Sequence, residues 1–164
     1  MPGKIAEIKF RQRVEPEDLG KILYQHGLLY SREYGYGLKF AGYVAQSLAE
    51  YALLDDFTGS ALWLAEKDDQ LVGTIAIIRR SDKVAQLRWF LILPDFRGLG
   101  LGKILLNKAL DFCRQHNYEK VFLWTVEDLH AACHLYEAAG FKPTEAKSHD
   151  LWGQMLTEVR YDLG

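Results

Sequence analysis

The run Leu91-Ile92-Leu93-Pro94-Asp95-Phe96-Arg97-Gly98-Leu99-Gly100-Leu101-Gly102-Lys103 constrains this 164-residue chain more than any other stretch, because a β-rich segment passes into a helical pattern through three alternate glycines. Glycines let backbone amides approach a ligand closely, and the helix start that follows adds unpaired N–H groups and a partial positive charge, so the turn suits a phosphate or pyrophosphate. Arg97 and Lys103 add local cationic charge. A glycine turn can equally be structural. Register excludes two nucleotide motifs. A Walker loop needs a glycine where Arg97 stands and a hydroxyl residue where Ile104 stands. The G-x-G-x-x-G fingerprint puts Lys103 or Leu105 at its last glycine, in frames starting at Gly98 and Gly100.

The rest of the chain alternates between the strand and helix periods. Residues 5–14 alternate as a half-buried strand does, with Ile8, Phe10 and Val14 on one side. Pro16, followed by Glu17 and Asp18, starts a helix over about 16–32, and Phe40, Val44, Leu48 and Tyr51 predict a second one ending near Leu54. Three β-rich runs, SALWLAEK, QLVGTIAIIRR and VAQLRWFLIL, are joined by short polar turns and read as an antiparallel meander. Beyond Pro94 come a helix at 102–116, the strand KVFLWTV, a helix at about 129–139 capped by Gly140, and a last strand near 154–162. The order β-α-α-β-β-β-α-β-α-β predicts a mixed α/β sheet flanked by helices.

Composition bounds the function. With 49% hydrophobic residues, the whole chain, 1–164, is expected to form one domain around a sizeable core. A net charge of -2 offers no global field for nucleic acid or anionic lipid, so any cationic site is local. No segment has the roughly 18 unbroken apolar residues of a membrane span and the start shows no signal-peptide pattern, so a cytoplasmic protein is expected, with neither nucleic acid nor membrane as partner. Cys113 and Cys133 make neither a disulfide framework nor a zinc spacing, and they read as buried small apolar residues. His26, His116, His134 and His149 belong to no motif, and no metal is expected.

Two blocks carry a family resemblance. Arg97-Gly98-Leu99-Gly100-Leu101-Gly102 resembles the Q/R-x-x-G-x-G/A cofactor signature of the GNAT superfamily of N-acetyltransferases, and Ala132 to Phe141 is similar to its A-x-x-L-Y-E-x-x-G-F helix. Over about 84–162, including the tail His149-Asp-Leu-Trp-Gly-Gln154, the chain resembles the acetyltransferase domain that some bacterial proteins carry behind a MarR-type DNA-binding domain. The chain is too short to hold that DNA-binding half as well. The resemblance implies the GNAT fold, with a mostly antiparallel central sheet, and acetyl-coenzyme A as co-substrate. A primary amine would attack the acetyl group directly in a ternary complex. Dimers are common in the superfamily.

The resemblance also assigns roles. Amides of Gly98, Leu99, Gly100, Leu101, Gly102 and Lys103 would bind the pyrophosphate, with Arg97 opening the loop. The strand before it is bulged in the family, implying backbone contacts from Ile92 to pantetheine and from Phe90 to the acetyl carbonyl, where an amide stabilises an oxyanion. Tyr136 matches the tyrosine that protonates the departing thiolate, a step open to a phenol of ordinary pKa near 10. Where members often carry asparagine seven residues before that tyrosine, this chain has Leu129. No motif fixes the general base; the candidates are Glu33, Glu127 and His130. A module that senses acyl-coenzyme A without turnover keeps the same loop, whereas a DNA-binding regulator is disfavoured by the balanced charge.

Overall fold

A computed structural model describes residues 5–164. Seven strands form one sheet in the order β1-β2-β3-β4-β5-β7-β6, with β1 Lys9–Arg11, β2 Ala61–Lys67, β3 Gln70–Arg79, β4 Val84–Ile92, β5 Lys120–Val126, β6 Lys142–Leu151 and β7 Gln154–Leu163. Every neighbouring pair is antiparallel except β4 with β5. The meander of β2, β3 and β4 and the mixed, mostly antiparallel sheet are as the sequence pattern predicts.

Helices α1 (Pro16–Tyr34) and α2 (Leu38–Ala52) pack Ile22, Phe40, Val44 and Leu48 on one face of the sheet, against Leu62, Leu64 and Ala76. On the other face α3 (Leu101–Gln115) packs Leu105, Leu106 and Ala109 against Val72, Ile75 and Ile77, beside α4 (His130–Ala138). Each of the larger side chains among these, taken out of water, contributes roughly 1.5–3 kcal/mol. Helix α1 is anchored at its start: fully buried Asp18 accepts the Glu15 N–H (2.7 Å) and holds the Arg11 guanidinium through both oxygens (2.7 Å each), with Pro16 at the first helical position.

Two expectations are corrected. The first strand is three residues long, because the Ile8 N–H closes a turn onto the Ile5 carbonyl (3.1 Å) and Arg11 ties the chain back to α1. A strand was not expected at Lys142–Leu151: β6 is a polar sheet edge, nearly all exposed, that pairs with β7 along its whole length. Of the cysteines, Cys113 is buried, its thiol pushed up to about 12 by burial, whereas Cys133 is only half-buried. Among the described residues no helix is long and apolar enough to cross a membrane.

Candidate functional site

Strand β4 is bulged. Thr74 pairs with Leu91 and Ala76 with Arg88, so Ile75 alone faces both Trp89 and Phe90. Trp89 takes φ of +47°, rare for a bulky residue, and its carbonyl accepts a hydrogen bond from the buried Thr74 hydroxyl (2.7 Å). The extra residue resets the side-chain alternation. Arg88 and Trp89, consecutive in sequence, both reach the α1/α2 face, and Phe90 turns to the α3/α4 face. Strand β5 pairs with β4 only from Val84 to Gln86, after which the two share no ladder. The bulged half of β4 thus keeps backbone groups that no neighbouring strand occupies.

The gap between the strands opens into two cavities. The first, of about 130 Å³, lies between the ends of β4 and β5 and is walled by Tyr30, Tyr36, Phe40, Tyr43 and Trp152. These rings pack on one another, Tyr36 against Trp152 at 5.2 Å and Phe40 against Trp152 at 4.8 Å. The β6–β7 turn is fastened there by Gln154, whose amide donates to the Gly35 carbonyl (2.9 Å). The second cavity, of about 220 Å³, is lined by Glu33, Tyr34, Ile92, Arg97, Gly98 and Leu135. Tyr30, Phe90, Leu129 and Ala132 line both, so the two meet at the bulge.

Beyond the second cavity lies a groove formed by Gly98, Gly100, Gly102 and Lys103 with His130, Ala131 and His134 of α4. Gly100 is the N-cap of α3, at φ +90°, and Gly98 stands at φ +73°. The first turn of α3 carries no acidic residue, so the helix dipole there is uncompensated. Leu101, Gly102 and Lys103 occupy its first three positions, whose N–H groups have no partner within a helix. This donor set fits a pyrophosphate.

The YEAAGF segment explains where Tyr136 stands. Gly140, at φ +101°, closes α4: its N–H reaches the Glu137 carbonyl (3.0 Å) and the Phe141 N–H reaches that of Tyr136 (3.0 Å). Phe141, 2% exposed, then packs edge-on against the Tyr136 ring at 5.9 Å. Tyr136 is buried beside Phe90 at 6.0 Å and lines the first cavity, its hydroxyl making no hydrogen bond to any described residue. Burial, then Tyr30 and Cys133, raises its phenol, which stays protonated at neutral pH.

The proposed bases fall in different places. Glu33 lines the second cavity, but both its oxygens bind the Arg97 guanidinium, at 2.5 and 3.1 Å. Arg97 also donates to the Ile92 carbonyl (3.0 Å), so this arginine braces the loop against α1, and the Ile92 carbonyl is taken. Glu127 is exposed, lines none of these cavities and does not cap α4, whose N-cap is Leu129. His130 lies in the glycine groove, away from the first cavity, and so does His134, which the sequence left as a surface residue. Leu99 is half-buried within the loop.

The first cavity holds Glu158, absent from the sequence reading, and His26, which that reading assigned to no motif. Glu158 of β7 lines it and accepts from Nε2 of His149 (2.9 Å). His26 is buried, its Nδ1–H donates to the Ile22 carbonyl (2.8 Å), and burial lowers its pKa to about 4. It is therefore neutral at pH 7. The only signal for Glu158 was its place on the same side of the strand as Leu156 and Arg160, a spacing shared by any half-buried strand.

A model of the acetyltransferase (GNAT) family matches residues 29–141, more than half of the chain. The N-acetylaspartate synthetase of Danio rerio is 37% identical over 113 residues, covering 63% of this chain and 40% of that protein. The chain spans less than half the length of this and several other curated relatives. Among solved structures, an acetyltransferase from Streptococcus agalactiae superposes with a TM-score of 0.75 at 21% identity, covering 95% of this chain and 97% of that one. A GNAT family acetyltransferase from Elizabethkingia anophelis with acetyl-CoA bound gives 0.66 at 15% identity, with 96% and 97% covered.

Proposed function

The chain belongs to the acetyltransferase (GNAT) family, and from that footing we propose that it moves an acetyl group from acetyl-coenzyme A to a primary amine by direct attack. The carrying observation is the meeting of two cavities at Tyr30, Phe90, Leu129 and Ala132, with the glycine groove beyond one and the Tyr136 hydroxyl in the other. The fit of the groove's donors to a pyrophosphate, and the acetyl-CoA in the Elizabethkingia anophelis structure, support the co-substrate. The relative named for an N-acetylated product supports nitrogen as the acceptor.

The co-substrate supplies an activated thioester. Amides of Gly98 to Lys103 hold its phosphates, and the unpaired backbone of the bulge at Phe90 receives the acetyl carbonyl. Leu129 offers an apolar contact in place of the family's asparagine. The amine nitrogen bonds to the acetyl carbon as the carbon–sulfur bond breaks. Tyr136 donates its proton to the departing sulfur and regains one from solvent. Glu158 takes the amine's proton, its carboxylate held by the His149 Nε2–H, and releases it to solvent. Glu33 serves to hold Arg97, and Glu127 has no part in the step.

Titration calorimetry tests the co-substrate. Coenzyme A and acetyl-coenzyme A should bind the purified protein, and ATP and NAD should not. Absence of heat with coenzyme A at millimolar concentration overturns the reading.

A further inference from the structure

The bulge does more than free the backbone at Phe90. By resetting the alternation it turns Trp89 to the face that Arg88 already occupies, and the Arg88 guanidinium stands in the wall of the first cavity, 5.4 Å from the Tyr43 ring and 5.5 Å from that of Trp89. One of its nitrogens donates to the Tyr43 hydroxyl (2.8 Å). Among the described residues no carboxylate lies within 4 Å of it, although the chain's other cavity-lining arginine, Arg97, is paired. Two aromatic faces and a phenol thus fix a planar cation whose remaining donors are uncommitted.

A second polar group in the same cavity is unsatisfied. The Tyr36 hydroxyl is fully buried and has no hydrogen-bond partner among the described residues, in a residue 2% exposed. An unmade hydrogen bond of this kind costs roughly 1–3 kcal/mol, so the site carries a standing deficit that a polar ligand would remove. Charge points the same way. Arg80, bonded to Gln86 on the same strand as Arg88, is lowered in pKa by burial and then by Arg88 as a like charge, with Glu50 opposing. An anion at Arg88 would relieve that repulsion. Glu158, also in the cavity, supplies a negative charge.

We propose that Arg88 holds a carboxylate of the acceptor, so that the site takes amino-acid-like substrates, with the carboxylate on Arg88, the buried Tyr36 hydroxyl bonding the same substrate and the amine turned toward Glu158. This rests on the reading of the first cavity as the acceptor site. The guanidinium fork matches a carboxylate through two parallel N–H donors, and the stacked aromatic wall leaves room for an apolar side chain. A polyamine or a plain alkylamine brings nothing for Arg88 and would leave a second cation beside it.

The experiment uses the twenty amino acids and their carboxamides, which differ in the charge at Arg88 and keep the amine. Thiol release from acetyl-coenzyme A is followed with wild type and Arg88→Gln, and thermal shift in the presence of coenzyme A reads binding without turnover. Wild type is expected to favour at least one amino acid over its carboxamide by about tenfold or more in kcat/KM. Arg88→Gln is expected to raise KM for that amino acid about tenfold to a hundredfold, with kcat within about threefold and coenzyme A affinity unchanged. Arg88→Glu should abolish use of the amino acid and spare the carboxamide. Thiol release confined to carboxylate-free amines, or amino-acid use indifferent to Arg88, overturns the assignment and leaves acetyl transfer standing. Stabilisation by amino acids that requires Arg88 but never releases thiol upholds the assignment and removes the transfer reaction. Neither stabilisation nor thiol release in any panel overturns both.

Discussion

Replacing Gly100 with alanine separates the shape of the loop from its packing. A Cβ at this position meets nothing within 4 Å, so no clash contributes. The backbone is what resists, because φ is +90°, and a left-handed conformation costs an L-residue roughly 1–2 kcal/mol. In a domain of this size each kcal/mol lowers Tm by about 2–4 °C, so a fall of roughly 2–8 °C follows if the loop keeps its shape. If it relaxes to negative φ, the peptide entering α3 rotates and at least one amide leaves the groove. An N–H to a charged oxygen contributes about 1.5–3 kcal/mol, which is a rise in Kd of about tenfold to 150-fold. Scanning calorimetry of the free protein and titration with coenzyme A read the two quantities together. Gly20→Ala is the control: it lies within α1 with open space around its Cβ, and it should gain roughly 0.5–1 kcal/mol. A Gly100→Ala protein with wild-type Tm and wild-type coenzyme A affinity would refute the assignment of the loop.

Three further outcomes follow from the same geometry. Tyr136→Phe loses no protein hydrogen bond, so Tm and acetyl-coenzyme A affinity should hold while turnover falls about a hundredfold to ten-thousandfold; undiminished turnover would remove its role as acid. Asp18→Asn weakens a buried carboxylate's hold on Arg11, which keeps Glu66, and should cost about 1–3 kcal/mol in denaturant unfolding at pH 7. Because the Arg11 hydrogen bond lowers the Asp18 pKa, that stability is present above about pH 4 and is lost as pH falls further; equal effects at pH 7 and in acid would contradict this. His26, held neutral with a pKa lowered to about 4, should make the protein lose about 3 kcal/mol as pH falls from about 6.5 to 4, a slope that His26→Leu removes and that persistence in the variant would disprove.

What was legible in the sequence was local. The glycine loop and the YEAAGF segment are each written in neighbouring residues, since a strand-to-helix turn and a glycine-closed helix end are set by backbone conformation within a few positions. The polar edge strand β6 was hidden because neither of its faces is buried, so KPTEAKSHDL carries no alternation to read. The bulge came from the family resemblance and not from the residue pattern: RWFLI reads as an unbroken strand, and only the pairing with Thr74 and Ala76 shows that Arg88 and Trp89 share a face. The first cavity is made of pieces far apart in the chain, from His26 to Glu158. Glu33, a candidate base by sequence, is held by Arg97, 64 residues on. Sequence spacing cannot supply such pairings, because the sheet creates them.

The proposed direct attack across the two joined cavities needs thioester and amine present together, and initial rates with both substrates varied test this most directly. Double-reciprocal lines should intersect, and protein incubated with acetyl-coenzyme A alone should keep its unmodified intact mass. Parallel lines, with a covalent acetyl group on the protein before any amine is added, would contradict direct attack and move the chemistry to a nucleophile such as the half-buried Cys133.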